Sequence, residues 1–155
     1  MSLGGGGGGG GQQQLQQIAQ EIEQIEEQIE AMEDEITGLQ DEKQEMNEAM
    51  EAIGAIESGD TVQVPLGGDA FLRAEIQNID EVIVEFGAGY AAEQEQDDAV
   101  DILENKQDTL DERIEEIRSD IAELETESEE LEQQAQQMQQ QQMQQMQQMQ
   151  QQDDE

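Results

Sequence analysis

From Leu15 onward, apolar side chains recur along this chain at steps of three and four. They fall at Leu15, Ile18, Ile22, Ile25, Ile29, Met32, Ile36 and Leu39, and resume at Met46, Met50 and Ile53. Lys43 takes the remaining place in the rhythm. A repeat of this kind keeps one stripe of a helix facing a partner helix, so it predicts a coiled-coil seam. Positions 15, 22, 29, 36, 43 and 50 are its a sites, and 18, 25, 32, 39, 46 and 53 its d sites. Gly54, Gly59 and Asp60 then supply stop signals. A second seam runs from Val100 through Leu103, Leu110, Ile114, Ile117, Ile121, Leu124, Leu131 and Ala135 to Met138, with Gln107 and Ser128 at two of its places.

Between the seams the period changes to two, the signature of half-buried strands. Val62, Val64 and Leu66 fall at every second place, as do Leu72, Ala74 and Ile76, and then Val82, Val84 and Phe86. "GYAAE" adds a short fourth strand. Gly67-Gly68-Asp69, Asn78 to Asp80 and Gly87-Ala88-Gly89 separate the runs as turns. Two β-hairpins between two long helices follow.

Helices that leave one small strand region fold back most simply as an antiparallel pair, in which a sites of one meet d sites of the other. Setting Ile53 opposite Val100 pairs Met50 with Leu103, Leu39 with Ile114, Ile36 with Ile117 and Ile29 with Leu124. The series closes with Leu15 opposite Met138, so the two seams begin and end together. Three layers are polar: Ile25 meets Ser128, Met46 meets Gln107, and Lys43 meets Leu110. Such layers lower stability and fix register. Lys43 is expected to pack its stem and turn its amine outward. The predicted fold is α+β: a long antiparallel two-helix coiled coil with two β-hairpins inserted between the helices. Its parts are a flexible glycine tail (residues 1–11), helix 1 (12–57), a β-hairpin assembly region (60–93), helix 2 (97–138) and a Gln/Met-rich tail (139–155). Both termini should sit at the end of the helical pair far from the strands.

Composition narrows the function. Forty-one acidic residues against five basic ones give a formal charge of -36. Such a chain repels nucleic acid and anionic membranes, and both are set aside as partners. The absence of cysteine and histidine removes disulfides, thiolate chemistry, Cys/His zinc sites and His-based triads. No apolar run approaches the ~20 residues of a membrane span, and the first residues lack the features of a signal peptide, so a cytoplasmic location is expected. The Debye length is ~8 Å at 0.15 M salt and ~3 Å at 1 M. An acid surplus on this scale, with apolar residues still in strict order, points to folding in a salt-filled cytoplasm rather than to a disordered acidic chain. The octaglycine at residues 4–11 lacks the G-K-[ST] of a phosphate loop, and Gly87-x-Gly89 reads as a hairpin turn. The carboxylates read as solvated helix faces, with no calcium loop of the D-x-D-x-D-G type. No catalytic residue, cofactor or metal ligand is assigned, and the chain is read as not an enzyme.

The tail poses its own question. Met143, Met146 and Met149 are set in glutamine beyond the last seam layer. Carried past Met138, the register places them opposite positions 10, 7 and 4, all glycine, with no seam to enter. One reading is a low-complexity tail in which methionine is incidental. The other is an adaptable apolar surface, since methionine is unbranched, polarizable and repacks around different shapes. On that reading Leu15, Ile18, Met138, Met143, Met146 and Met149 form a tip that holds apolar segments of other chains. The hairpins raise a parallel demand. About 35 residues of hairpin cannot bury both faces, and their edges are unpaired. Val62, Val64, Leu72, Ile76, Val82, Val84 and Phe86 are therefore assigned to oligomer assembly.

Helix, then "VPLGGDAFLRAEIQNIDEVIVEFGAGYAAE", then helix resembles the alpha subunits of archaeal prefoldins over roughly residues 12–138. The most telling pieces are "VPLG" at residues 64–67, "AFLRAEI" at 70–76 and "GAGY" at 87–90. The octaglycine start and the long Gln/Met end depart from the pattern. The resemblance implies an ATP-independent chaperone. In it, two alpha subunits join four prefoldin beta subunits through β-barrels, the arm tips hold unfolded client proteins, and clients pass to a group II chaperonin. The alternative is a structural coiled-coil adaptor that recognises one specific partner. A chaperone suppresses aggregation of several unrelated proteins; an adaptor does not.

Overall fold

The computed structural model describes residues 6–153. Helix α1 (Gly6–Ala55) leads to strands β1 (Thr61–Gly67), β2 (Ala70–Glu75), β3 (Val82–Gly87) and β4 (Tyr90–Gln94), and helix α2 (Gln96–Asp153) follows. By contacts the chain divides into two units, one of residues up to 36 together with those from 115 onward, the other of residues 37–114.

Heptad spacing explains which helix residues are sheltered. Every α1 seam place from Leu15 to Ile53 is buried or half-buried, and apart from Ala49 the residues between them are exposed. Every α2 seam place from Val100 to Met138 is sheltered likewise. In the first unit Ile18, Ile25, Ile36, Ile117 and Ile121 are buried, with Ile117 the most enclosed of the large side chains. Each such burial contributes on the order of 1.5–3 kcal/mol.

The helices run further than the apolar pattern predicted. Residues Gly6–Gly11 are helical where a tail was expected, and α2 continues to Asp153 rather than stopping near 138. Residues 1–5 and 154–155 of the two expected tails lie outside the described residues. One more seam layer lies within the extension. Gln142, the next a site after Met138, is half-buried, and its side-chain amide occupies the space that a Cβ on Gly11 would need. Gly11 is the d site one heptad before Ile18. Glycine costs a helix about 1 kcal/mol relative to alanine, but here its missing side chain lets the glutamine amide close over the backbone.

In the second unit, polar side chains complete the helix pair. Gln107 Nε2 donates to the Lys43 carbonyl at 2.9 Å and to Asn47 Oδ1 at 2.6 Å, so its polar layer is hydrogen-bonded. Lys43 keeps its stem in the seam and its Nζ reaches Asp111, as snorkelling requires. Gln96, the first residue of α2, donates from Nε2 to the carbonyls of Ile53 at 2.5 Å and Ile56 at 3.2 Å. It thereby satisfies acceptors that the end of α1 would leave open. Asp97 and Asp98 lie in the first turn of α2, where the helix dipole favours negative charge.

The strands form two separate two-stranded sheets. β1 and β2 pair antiparallel, with Val62 opposite Ala74 and Val64 opposite Leu72. β3 and β4 do the same, with Val82 opposite Gln94 and Val84 opposite Ala92. At the base of the first hairpin the Gly59 N–H donates to the Ile76 carbonyl at 2.7 Å, and the Ile76 N–H to that of Asp60 at 2.8 Å. Both hairpins turn through two residues of positive φ, Gly68 (58°) with Asp69 (62°), and Ala88 (53°) with Gly89 (80°). Such loops match the twist of the strands they join. Ala88 has a Cβ and no polar group to offset the left-handed conformation, which costs ~1–2 kcal/mol. Ala88→Asn is expected to stabilise the β3–β4 hairpin by about 1 kcal/mol, read as slower amide hydrogen exchange in those strands.

Candidate protein-binding surfaces

Helix geometry separates the predicted tip residues into two groups. Leu15 and Met138 are half-buried and Ile18 is buried, so these three belong to the seam. Met143, Met146 and Met149 stand open, at 64%, 67% and 69% exposure. Gln142 takes the place over Gly11, as the register sets it, while nothing lies within 4 Å of a Cβ on Gly10, so Met143 does not close over that glycine; position 4, set opposite Met149, lies outside the described residues. Met143 follows one residue later and so points about 100° further round the helix. Because a step of three falls short of a 3.6-residue turn, the stripe winds from the outer flank at Met143 toward the seam side at Met149. The sequence signal for this was the heptad lettering, which makes 142 and not 143 an a site.

The hairpins carry the second surface. Val64 and Leu72 are exposed and stand opposite each other in the register, with Leu66 also open. Val62, Ile76 and Val82 are half-buried. Val84 is only 6% exposed within the chain itself. Phe86 lies against α2, where it lines a shallow hollow with Ile102, Asn105, Lys106 and Thr109. Lys106 Nζ donates to the Glu85 carbonyl and holds β3 to that helix. Sequence reasoning missed this fastening, because a lysine just off the seam gives no signal of a carbonyl partner. It also passed over Phe71, Ile83 and Tyr90, which are exposed. Phe71 and Ile83 sit at the odd positions of alternating runs and place large apolar groups on the other faces of the two sheets.

Among the described residues, no group of three or more Asp, Glu, His or Cys side chains is arranged to hold a metal ion. Among the same residues, no helix is long and apolar enough to cross a membrane.

These features define a class: two long helices with two small antiparallel β-hairpins between them in the chain, and exposed apolar side chains on helix and hairpins alike. A family model described as "Prefoldin subunit" matches residues 12–141, and the chain belongs to the prefoldin family. It is 61% identical to Prefoldin subunit alpha of Haloarcula marismortui over 116 residues, 75% of each chain. It is 59% identical to Prefoldin subunit alpha of Halobacterium salinarum over 117 residues, 76% of this chain and 73% of that one. Over 98 residues, 63% of this chain and 64% of the other, it is 69% identical to Prefoldin subunit alpha of Haloquadratum walsbyi. These relatives come from halophilic archaea. The fold is shared with a cryo-EM structure of filamentous PFD from Methanocaldococcus jannaschii, at a TM-score of 0.52 and 24% identity, covering 77% of this chain and 95% of that one.

Proposed function

We propose that this chain is the alpha-type subunit of an ATP-independent holding chaperone. Its β-hairpins join it to prefoldin beta subunits, two alpha with four beta, and its Gln/Met end holds unfolded clients for transfer to a group II chaperonin in the cytoplasm. The observation that carries the reading is the open stripe of Met143, Met146 and Met149 on a helical stretch, residues 139–152, otherwise made of glutamine. Thioether side chains adapt to apolar segments of many shapes. Membership of the prefoldin family and the exposed pair Val64 and Leu72 support the assembly part.

The test compares the full chain, assembled with a prefoldin beta subunit at molar salt, with its triple Met143, Met146 and Met149→Gln variant. Without nucleotide, the assembly is expected to suppress aggregation of several unrelated denatured proteins. At ~0.5 kcal/mol of partial burial per thioether, the variant is expected to hold them about tenfold more weakly at unchanged assembly mass. Equal holding by the variant would count against the methionine surface. Suppression confined to a single client would favour the adaptor.

A further inference from the structure

The charges of this chain stop at one level on both helices. No charged side chain precedes Glu21 in α1, and none lies between Glu132 and Asp153 in α2. The seam register sets Glu21 level with Glu132, and Glu21 shares a hollow with Leu131 and Gln134. Between that level and Asp153 the hairpin carries no charged side chain on any face, in a molecule whose formal charge is -36. Met143 sits near the middle of the α2 window, about 15 Å along the helix from the nearest charge on either side.

We infer that this window is a surface for acidic polypeptide segments: unfolded chains whose apolar residues are interspersed with carboxylates. The inference rests on the holding function proposed above and names the chemistry of what is held. A cationic ligand would gain from carboxylates, so their removal would weaken its capture. A wholly apolar ligand would need neutrality only along the methionine stripe. Neutrality around the whole circumference, outer faces included, serves a ligand that carries negative charge and wraps the helix. The replacement residue fits the same ligand. A carboxylate only accepts hydrogen bonds, whereas each glutamine amide both donates and accepts. The window therefore offers amide donors to client carboxylates with no carboxylate of its own beside them.

The test uses three labelled, unstructured peptides with identical leucine positions, flanked by glutamate, glutamine or lysine. Each is titrated against the full-length chain at about 1 M potassium chloride. Gln137, Gln144 and Gln151 are exposed and lie one heptad apart, off the seam and off the methionines. At this salt only charges in direct contact still sense one another. The triple Gln137, Gln144 and Gln151→Glu variant, which places its carboxylates against the bound peptide, is expected to lose about threefold in affinity for the glutamate peptide. It should stay within about twofold for the glutamine peptide and gain for the lysine peptide. The matching triple→Lys variant should shift the three peptides in the opposite order. Circular dichroism of both variants fixes whether the helices are retained, and the reversal between them separates charge from loss of fold. Equal changes for all three peptides would overturn the acidic-segment inference and leave the holding function standing. A wild-type chain that binds none of the peptides would overturn both.

Discussion

Dilution from about 1 M to about 0.05 M salt is expected to abolish most of the helical circular-dichroism signal of this chain. The reason lies in repeated like charges along each helix. Glu23 with Glu27, Glu26 with Glu30, Glu112 with Glu116 and Glu125 with Glu129 are four residues apart and so neighbours on the helix surface. Each such pair costs on the order of 0.2–0.5 kcal/mol when unscreened. At 1 M the Debye length of ~3 Å falls short of their ~5–6 Å separation, and the repulsion fades. At 0.05 M it exceeds 10 Å, and every carboxylate senses several others on both helices. Only five lysines and arginines oppose 41 acids. Domains carry a net stability of roughly 5–15 kcal/mol, so a dozen or more unscreened pairs consume most of it. An unchanged spectrum across that range would show that the helices do not depend on screening.

The second large effect concerns assembly. Leu72→Glu is expected to prevent the chain from joining a prefoldin beta subunit at molar salt while leaving its helix content unchanged. Leu72 is 55% exposed and stands opposite Val64, so the carboxylate would be solvated in the free chain and desolvated in a complex. An unpaired charge buried at an interface costs several kcal/mol, which corresponds to at least about a hundredfold in affinity. Val84 is a poorer probe than its place in the strand pattern suggests. It is already buried within its own chain, and a charge there would disturb the hairpin before any partner arrived. Native mass measurement of the mixture decides the matter, and a full-size complex formed by the Leu72→Glu chain would exclude this face from the interface.

The seam was legible because its places obey one rule over many heptads, and a break such as Lys43 is visible against that rule. The turns were legible because Gly68-Asp69 and Ala88-Gly89 need backbone angles that few residues adopt. The extra layer at Gly11 and Gln142 was not, since neither residue is apolar and the layer is formed by an amide over bare backbone. The same holds for Gln96 and Lys106, whose carbonyl partners lie 43, 40 and 21 residues away in sequence. Hydrophobic periodicity reports which faces meet; it is silent on side chains that reach sideways to a distant backbone. The methionine stripe was visible as composition, while its winding path emerged only once the helix was known to continue past Met138.

Tyr90 opens β4 at 74% exposure, and it is the only tyrosine in a chain without tryptophan. The molecule therefore carries one strong ultraviolet emitter, placed beside the second turn, while both helices are optically dark. Collisional quenching of that emission by iodide reads how far water reaches this hairpin, residue-specifically and without a label. Docking of a subunit onto the hairpin would register as lost quenching, and events along the helices would leave the signal untouched.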